Sequence, residues 1–181
     1  MELRTPPPGY LFERFDPQRH DRTAFSCGSG PIDSFLRKTA SQDQEKGLSK
    51  SFVLVESADT SENKRPIVGF VTLVTTIMPV PETPDAMVKL THRGPLAVLL
   101  LARMGVDPKH KGKGLGEHLV AHALDSACNA DDISNCLGVI VDPKPDVIDF
   151  YTQYGFTELE DRKGRLFLPT TTIRTLSAHT V

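Results

Sequence analysis

The chain has no tryptophan, only three cysteines, and no apolar run near the roughly 20 residues that span a bilayer. Cys27, Cys128 and Cys136 make neither a Cys-x-x-Cys pair nor an even framework, so reduced thiols are expected rather than disulfides or a cysteine metal site. The N-terminus, Met1-Glu2-Leu3-Arg4-Thr5-Pro6, lacks the basic and then apolar order of an export signal. A cytoplasmic protein with no membrane attachment is the expectation. Basic excess is also missing: 21 Lys and Arg stand against 23 Asp and Glu, for a net charge of −2. That argues against a broadly basic nucleic-acid binder and leaves room for a local patch. What is present suits one globular domain, with 181 residues, 39% hydrophobic and 24% charged. Residues 1–176 are read as that domain and 177–181 as a disordered tail.

The order of elements is mixed α/β, without repeats. Pro6-Pro7-Pro8-Gly9 is a stiff leader to a strand at 10–15. Gly28-Ser29-Gly30-Pro31 leads into a helix with Pro31 in its first turn, Ile32, Phe35, Leu36 and Ala40 on one face, and Gly47 as its stop. Strands are expected at 51–56 and 67–76, around a polar turn at 57–65. Four prolines, Pro79, Pro81, Pro84 and Pro95, make 78–95 a long loop with broken helix. A strand follows at 98–106. The helix from 115 to 128 buries Leu115, Leu119, Val120, Ala123, Leu124 and Ala127. A buried strand at 137–141, a short helix at 146–154 closed by Gly155, and a hairpin of 156–159 with 166–168 complete the order.

Between the strand at 98–106 and the helix lies Lys111-Gly112-Lys113-Gly114-Leu115-Gly116. A glycine-rich loop at a helix start turns several backbone N–H groups toward one point, where the positive dipole end also lies, and so binds phosphate. A P-loop would require Lys-Ser/Thr after its last glycine, but Glu117 and His118 follow Gly116. A dinucleotide fingerprint requires Gly-x-Gly-x-x-Gly, yet Glu117 stands where the third glycine belongs.

The spacing that remains, Lys111-x-x-Gly114-x-Gly116, resembles the Arg/Gln-x-x-Gly-x-Gly/Ala pyrophosphate loop of the GNAT acyltransferases, with lysine in the first place. Phe150-Tyr151-Thr152-Gln153-Tyr154-Gly155-Phe156 resembles the Phe-Tyr-x-x-x-Gly-Phe run that closes those domains, and the likeness covers roughly 52–168. Phe25-Ser26-Cys27-Gly28, Ile32-Asp33-Ser34-Phe35-Leu36, Leu99-Leu100-Leu101-Ala102-Arg103-Met104-Gly105-Val106 and Leu166-Phe167-Leu168-Pro169 are similar to GNAT-type toxins of toxin–antitoxin operons. The resemblance implies one α/β (α+β) domain: a central, mostly antiparallel sheet with flanking helices, splayed in a V between its two central parallel strands. It implies acetyl transfer from acetyl-CoA, without metal, to the free α-amino group of aminoacyl-tRNA, which blocks translation. A small ribbon-helix-helix antitoxin and a homodimer are implied as well.

Within that resemblance, Lys111, Gly112, Lys113, Gly114, Leu115 and Gly116 hold the pyrophosphate, chiefly through backbone N–H groups. The strand edge near Met104 and Val106 pairs with the pantetheine arm, and one of its N–H groups polarises the thioester carbonyl. Tyr151 is the general acid for the departing thiolate, since a phenol with a pKa of about 10 stays protonated at neutral pH. No fixed base stands out. That favours an α-amino acceptor, whose pKa of about 8 leaves a useful neutral fraction, over a lysine amine at about 10.4. A small-molecule or protein amine remains the alternative acceptor, and a non-catalytic acyl-CoA-binding regulator the alternative function. His118 and His122 lack the His-Glu-x-x-His order and are read as a solvated face; Tyr10 and Tyr154 are read as packing. His110 is either a phosphate contact or an exposed loop histidine, and Arg103 is either structural or a substrate contact. Arg37, Lys38, Lys46, Lys50, Arg162, Lys163 and Arg165 are the candidates for a tRNA-facing patch.

Overall fold

The computed structural model describes residues 6–58, 64–79, 82–89 and 96–178. The elements in order are β1 (Tyr10–Arg14), β2 (His20–Asp21), α1 (Gly30–Lys38), α2 (Ala40–Glu45), β3 (Lys50–Glu56), β4 (Arg65–Pro66), β5 (Gly69–Met78), α3 (Asp85–Val88), β6 (Leu96–Val106), α4 (Leu115–Ser134), β7 (Gly138–Val141), α5 (Ile148–Thr152), β8 (Thr157–Leu159), β9 (Arg162–Pro169) and α6 (Thr170–Ala178). Among the described residues seven strands form one sheet in the order β1-β3-β5-β6-β7-β9-β8, and β2 pairs with β4. The β6/β7 pair is parallel, while β1/β3, β3/β5, β7/β9 and β8/β9 are antiparallel. The expected mixed, mostly antiparallel sheet is therefore present. The chain divides into two compact units, Arg4–Val74 with Ala102–His122, and Thr75–Leu101 with Ala123–Val181.

In the first unit the inward residues of β3 and the helix-facing positions meet in one cluster: Phe15, Phe25, Leu36, Ala40, Val53, Val55, Ile67 and Phe70. The expected single helix is two, broken at Thr39, and its buried stripe continues through Leu36 and Ala40. It ends where Gly47 was expected to stop it. The Gly47 amide donates to the Gln44 carbonyl and the Leu48 amide to that of Asp43, with Gly47 at φ +71°, which satisfies two end carbonyls. Asp33 is buried, accepting from the Ser26 hydroxyl and the Cys27 amide, each at 2.8 Å. Burial raises the Asp33 carboxyl, but those hydrogen bonds and nearby Arg37 outweigh it and hold the group below its usual range. The loop they brace lies against β6 at Gly105, where a Cβ would meet Cys27 Cβ and Sγ at 2.9 Å.

In the second unit Met78, Leu96, Val98, Ile140, Leu159 and Phe167 pack together. Gly138 begins β7 beneath Phe167; a Cβ there would lie 2.4 Å from the Leu168 carbonyl oxygen. The expected closing hairpin is β8 with β9. A last helix, α6, was not anticipated, and Ser177 and Ala178 belong to it rather than to a tail. Arg174 of α6 ties it to the end of α4 through Asp131, Asp132 and the Cys128 carbonyl.

Every apolar residue assigned to the buried face of α4 is 2% exposed or less: Leu115, Leu119, Val120, Ala123, Leu124 and Ala127. The helix runs past the expected end because nothing in Asn129–Ser134 stops it. It ends at Asn135, which takes the left-handed conformation at φ +55°.

Candidate active site

β6 pairs with β7 from Leu99 to Leu101, and Ala102–Val106 run on past the last of those pairs. Asp107 then turns the chain. Its amide donates to the Val68 carbonyl, and its carboxylate accepts from the Lys109 amide at 2.9 Å, capping a single 3-10 turn over Pro108–His110. Gly112 and Gly114 follow at φ +78° and +71°, and nothing lies within 4 Å of where either Cβ would be. The glycines are thus required by conformation, not by crowding. Residues other than glycine pay about 1–2 kcal/mol to adopt it. Lys111, Gly112, Lys113 and Gly114 are all exposed, and Leu115 is buried as α4 begins, so the loop faces outward from an anchored helix end.

That end belongs to a helix of 20 residues, with early amides left for a ligand. An open, left-handed glycine cradle at the positive end of a long helix fits a pyrophosphate. The structure brings Lys111, Gly112, Lys113, Gly114, Leu115 and Gly116 together in this one loop, directly after the half-buried Met104 and Val106 of β6.

Tyr10, read as packing, is part of the loop's surroundings instead. Lys113 Nζ donates to its hydroxyl at 3.1 Å, and His110 Nδ1 lies 3.3 Å from the same oxygen. Asp107 and Gly105 were also missed. The Asp-Pro pair at 107–108 was a turn signal in the sequence, whereas Gly105 becomes informative only once Cys27 is placed beside it.

Tyr151 lies in α5, in the other unit, 6% exposed. Its ring meets Phe150 and Phe156 edge-on at 5.1 and 5.8 Å. Gly155 at φ +90° and the buried Phe156 close the helix as the motif suggested. Burial pushes the phenol up to about 12, so it is fully protonated at any physiological pH.

The other candidates separate cleanly. His122 does not face solvent: its ring stacks on Phe12 at 4.4 Å and meets Phe52 edge-on at 4.5 Å. Histidine is amphipathic enough to be the flat piece between two phenylalanines of β1 and β3, which helical spacing alone did not reveal. Among the described residues no group of three or more His, Cys, Asp or Glu is arranged to hold a metal. Arg103 lies over the Phe35 ring at 5.5 Å, a structural contact. Arg165 is committed to Asp142 and Glu82, and Arg162 to Glu82, which removes both from the pool of free cations. No helix among the described residues is long and apolar enough to cross a membrane.

Comparison with known proteins agrees with this architecture. The family profile of the acetyltransferase (GNAT) domain matches residues 51–158. A probable toxin TacT of Sinorhizobium fredii is 26% identical over 175 residues, covering 92% of this chain and 94% of that protein. A tRNA-acetylating toxin of Mycobacterium tuberculosis is 32% identical over 149 residues, covering 82% and 85%. The crystal structure of a tyrosine-to-phenylalanine mutant of KacT superposes with a TM-score of 0.82 at 24% identity, over 93% of this chain and 99% of that one. AtaT complexed with acetyl-methionyl-tRNAfMet gives 0.82 at 22%, over 92% and 98%. These two structures share the fold.

Proposed function

Since the chain belongs to the GNAT acetyltransferase family, we propose that it moves the acetyl group of acetyl-CoA to the α-amino group of aminoacyl-tRNA, as a translation-blocking toxin. The observation that carries the acceptor is the 32% identity, over most of both chains, to a protein named for acetylating tRNA.

Acetyl-CoA supplies an acyl group already activated as a thioester. Lys111–Gly116 receive its pyrophosphate on backbone N–H groups, with Lys111 and Lys113 adding point charges rather than the planar fork of arginine. The end of β6, at Met104 and Val106, offers backbone groups to the amide-bearing arm and an N–H to the thioester oxygen. The neutral amine attacks the acetyl carbonyl: a C–N bond forms, the C–S bond breaks, Tyr151 gives its phenolic proton to sulfur, and the amine's surplus proton, passed through solvent, restores the phenol. At about 12, the phenol is a weak acid against a thiol's usual value of about 8.5. The same low-dielectric surroundings that raise the phenol also destabilise a bare thiolate, which raises its demand for the proton.

AtaT has been solved with the C-terminus of the antitoxin AtaR, and KacTA with DNA. By analogy, a small ribbon-helix-helix antitoxin is the proposed partner here, with a cytoplasmic homodimer as the working form. The test is competition among acceptors: purified protein, labelled acetyl-CoA, and aminoacyl-tRNA beside polyamines and lysine peptides. Label on the tRNA fraction supports the proposal. Label only on the small or peptide amines favours the alternative acceptor, and tight CoA binding with no transfer favours a non-catalytic regulator.

A further inference from the structure

Tyr10 opens β1, yet its hydroxyl sits at the glycine loop, 100 residues from His110 and 103 from Lys113 in sequence. We propose that Tyr10 is a positioning residue for the acetyl donor: it staples the glycine loop by bridging His110 and Lys113, on either side of Lys111-Gly112. The proposal rests on the acetyl-CoA reading of that loop.

Donor chemistry fixes one half of the bridge. An ammonium only donates, so the Tyr10 oxygen accepts from Lys113 Nζ at 3.1 Å. The same hydroxyl meets His110 Nδ1 at 3.3 Å, in a bond whose direction follows the imidazole tautomer. The rings agree with this arrangement. Lys113 Nζ is 5.9 Å from the Tyr10 ring centre, and the His110 ring meets Tyr10 edge-on at 6.1 Å.

The staple is fastened to the sheet. Tyr10 pairs with Glu56 in the β1/β3 register, its amide donates to the Pro7 carbonyl, and Glu56 Oε1 lies 3.9 Å from His110 Nδ1. The loop, by contrast, has no packing at the Cβ positions of its left-handed glycines. A bridge from the sheet to both arms of the bend therefore supplies order that the glycines cannot. Ordering the loop before binding lowers the entropy lost when its amides close on phosphate.

Tyr10→Phe keeps the ring and deletes the bridge. The expected result is a rise of about 3- to 10-fold in the KM for acetyl-CoA and in the Kd for CoA measured by calorimetry, the size of one hydrogen-bonded contact. The kcat should stay within about twofold and the melting temperature within a degree or two, since a single near-surface hydroxyl contributes little to global stability. In a Lys113→Met background the same substitution should lose most of its effect, because the two residues act as a pair. Wild-type-like CoA binding by Tyr10→Phe, an effect confined to kcat, or full additivity with Lys113→Met would overturn the staple while leaving the donor assignment intact. Failure of the wild-type protein to bind CoA would overturn the donor assignment and the staple with it.

Discussion

At Tyr151, burial both sets the protonation state and limits acid strength. With the phenol at about 12, no alkaline loss of activity from this group is expected below about pH 11. The acceptor must be neutral, so kcat/KM should instead rise with pH through an α-amine's value of about 8 and then level off. A profile still climbing at pH 10 would indicate a lysine-type amine. Tyr151→Phe should lower kcat by about 100-fold or more, the usual worth of a placed proton donor, with the acetyl-CoA KM little changed. At the loop, Gly112→Ala should weaken CoA binding by about 5- to 30-fold, because a Cβ at φ +78° costs about 1–2 kcal/mol in the bound geometry. Calorimetry checks this directly. Asp33 tests the brace under α1. Asp33→Ala strands the Cys27 amide and the Ser26 hydroxyl and should cost about 1–3 kcal/mol in urea unfolding. The Asp33 carboxyl is held below its ordinary value of 3.8, so its contribution is complete above that pH and is lost as pH falls through the lower folded value. Wild-type stability should therefore fall more steeply below about pH 4 than that of the variant.

Among the elements, α4 and α6 show what the sequence made legible and what it did not. The α4 stripe is a local pattern at helical spacing, and all six apolar positions read from it are buried. Leu124→Ala should accordingly cost about 2–5 kcal/mol. The glycine loop was legible for the same reason, since its information lies in adjacent residues. α6 opens Thr170-Thr171-Thr172, a β-branched run with weak helix preference, and carries few apolar residues. Its stability comes from tertiary contacts: Ile173 is fully buried, and Arg174 answers the carboxylates of Asp131 and Asp132 at the negative end of α4. Tyr10 was illegible because its partners lie a hundred residues away. Gly138 belongs with these long-range features. Gly138→Ala, mild by local propensity, should be among the most disruptive single-methyl additions, since backbone and a phenylalanine ring occupy the space; loss of soluble protein or a melting temperature lowered by many degrees would show it.

For the whole molecule, charge is the informative quantity. A net charge of −2 cannot attract tRNA broadly, and Arg162 and Arg165 are already spent on carboxylates. Binding of a polyanion must then rely on a few exposed cations such as Lys38, Lys46 and Lys50. The salt dependence of the aminoacyl-tRNA KM should correspond to only a few phosphate contacts, well below that of a strongly basic binder.

The measurement that bears most directly on the central assignment is mass spectrometry of nuclease-digested aminoacyl-tRNA after incubation with acetyl-CoA and wild-type or Tyr151→Phe protein. The expected product is N-acetyl-aminoacyl-adenosine, abundant with wild type and scarce with the variant. Unmodified aminoacyl-adenosine from a wild-type reaction that binds acetyl-CoA would contradict the assignment of the acceptor.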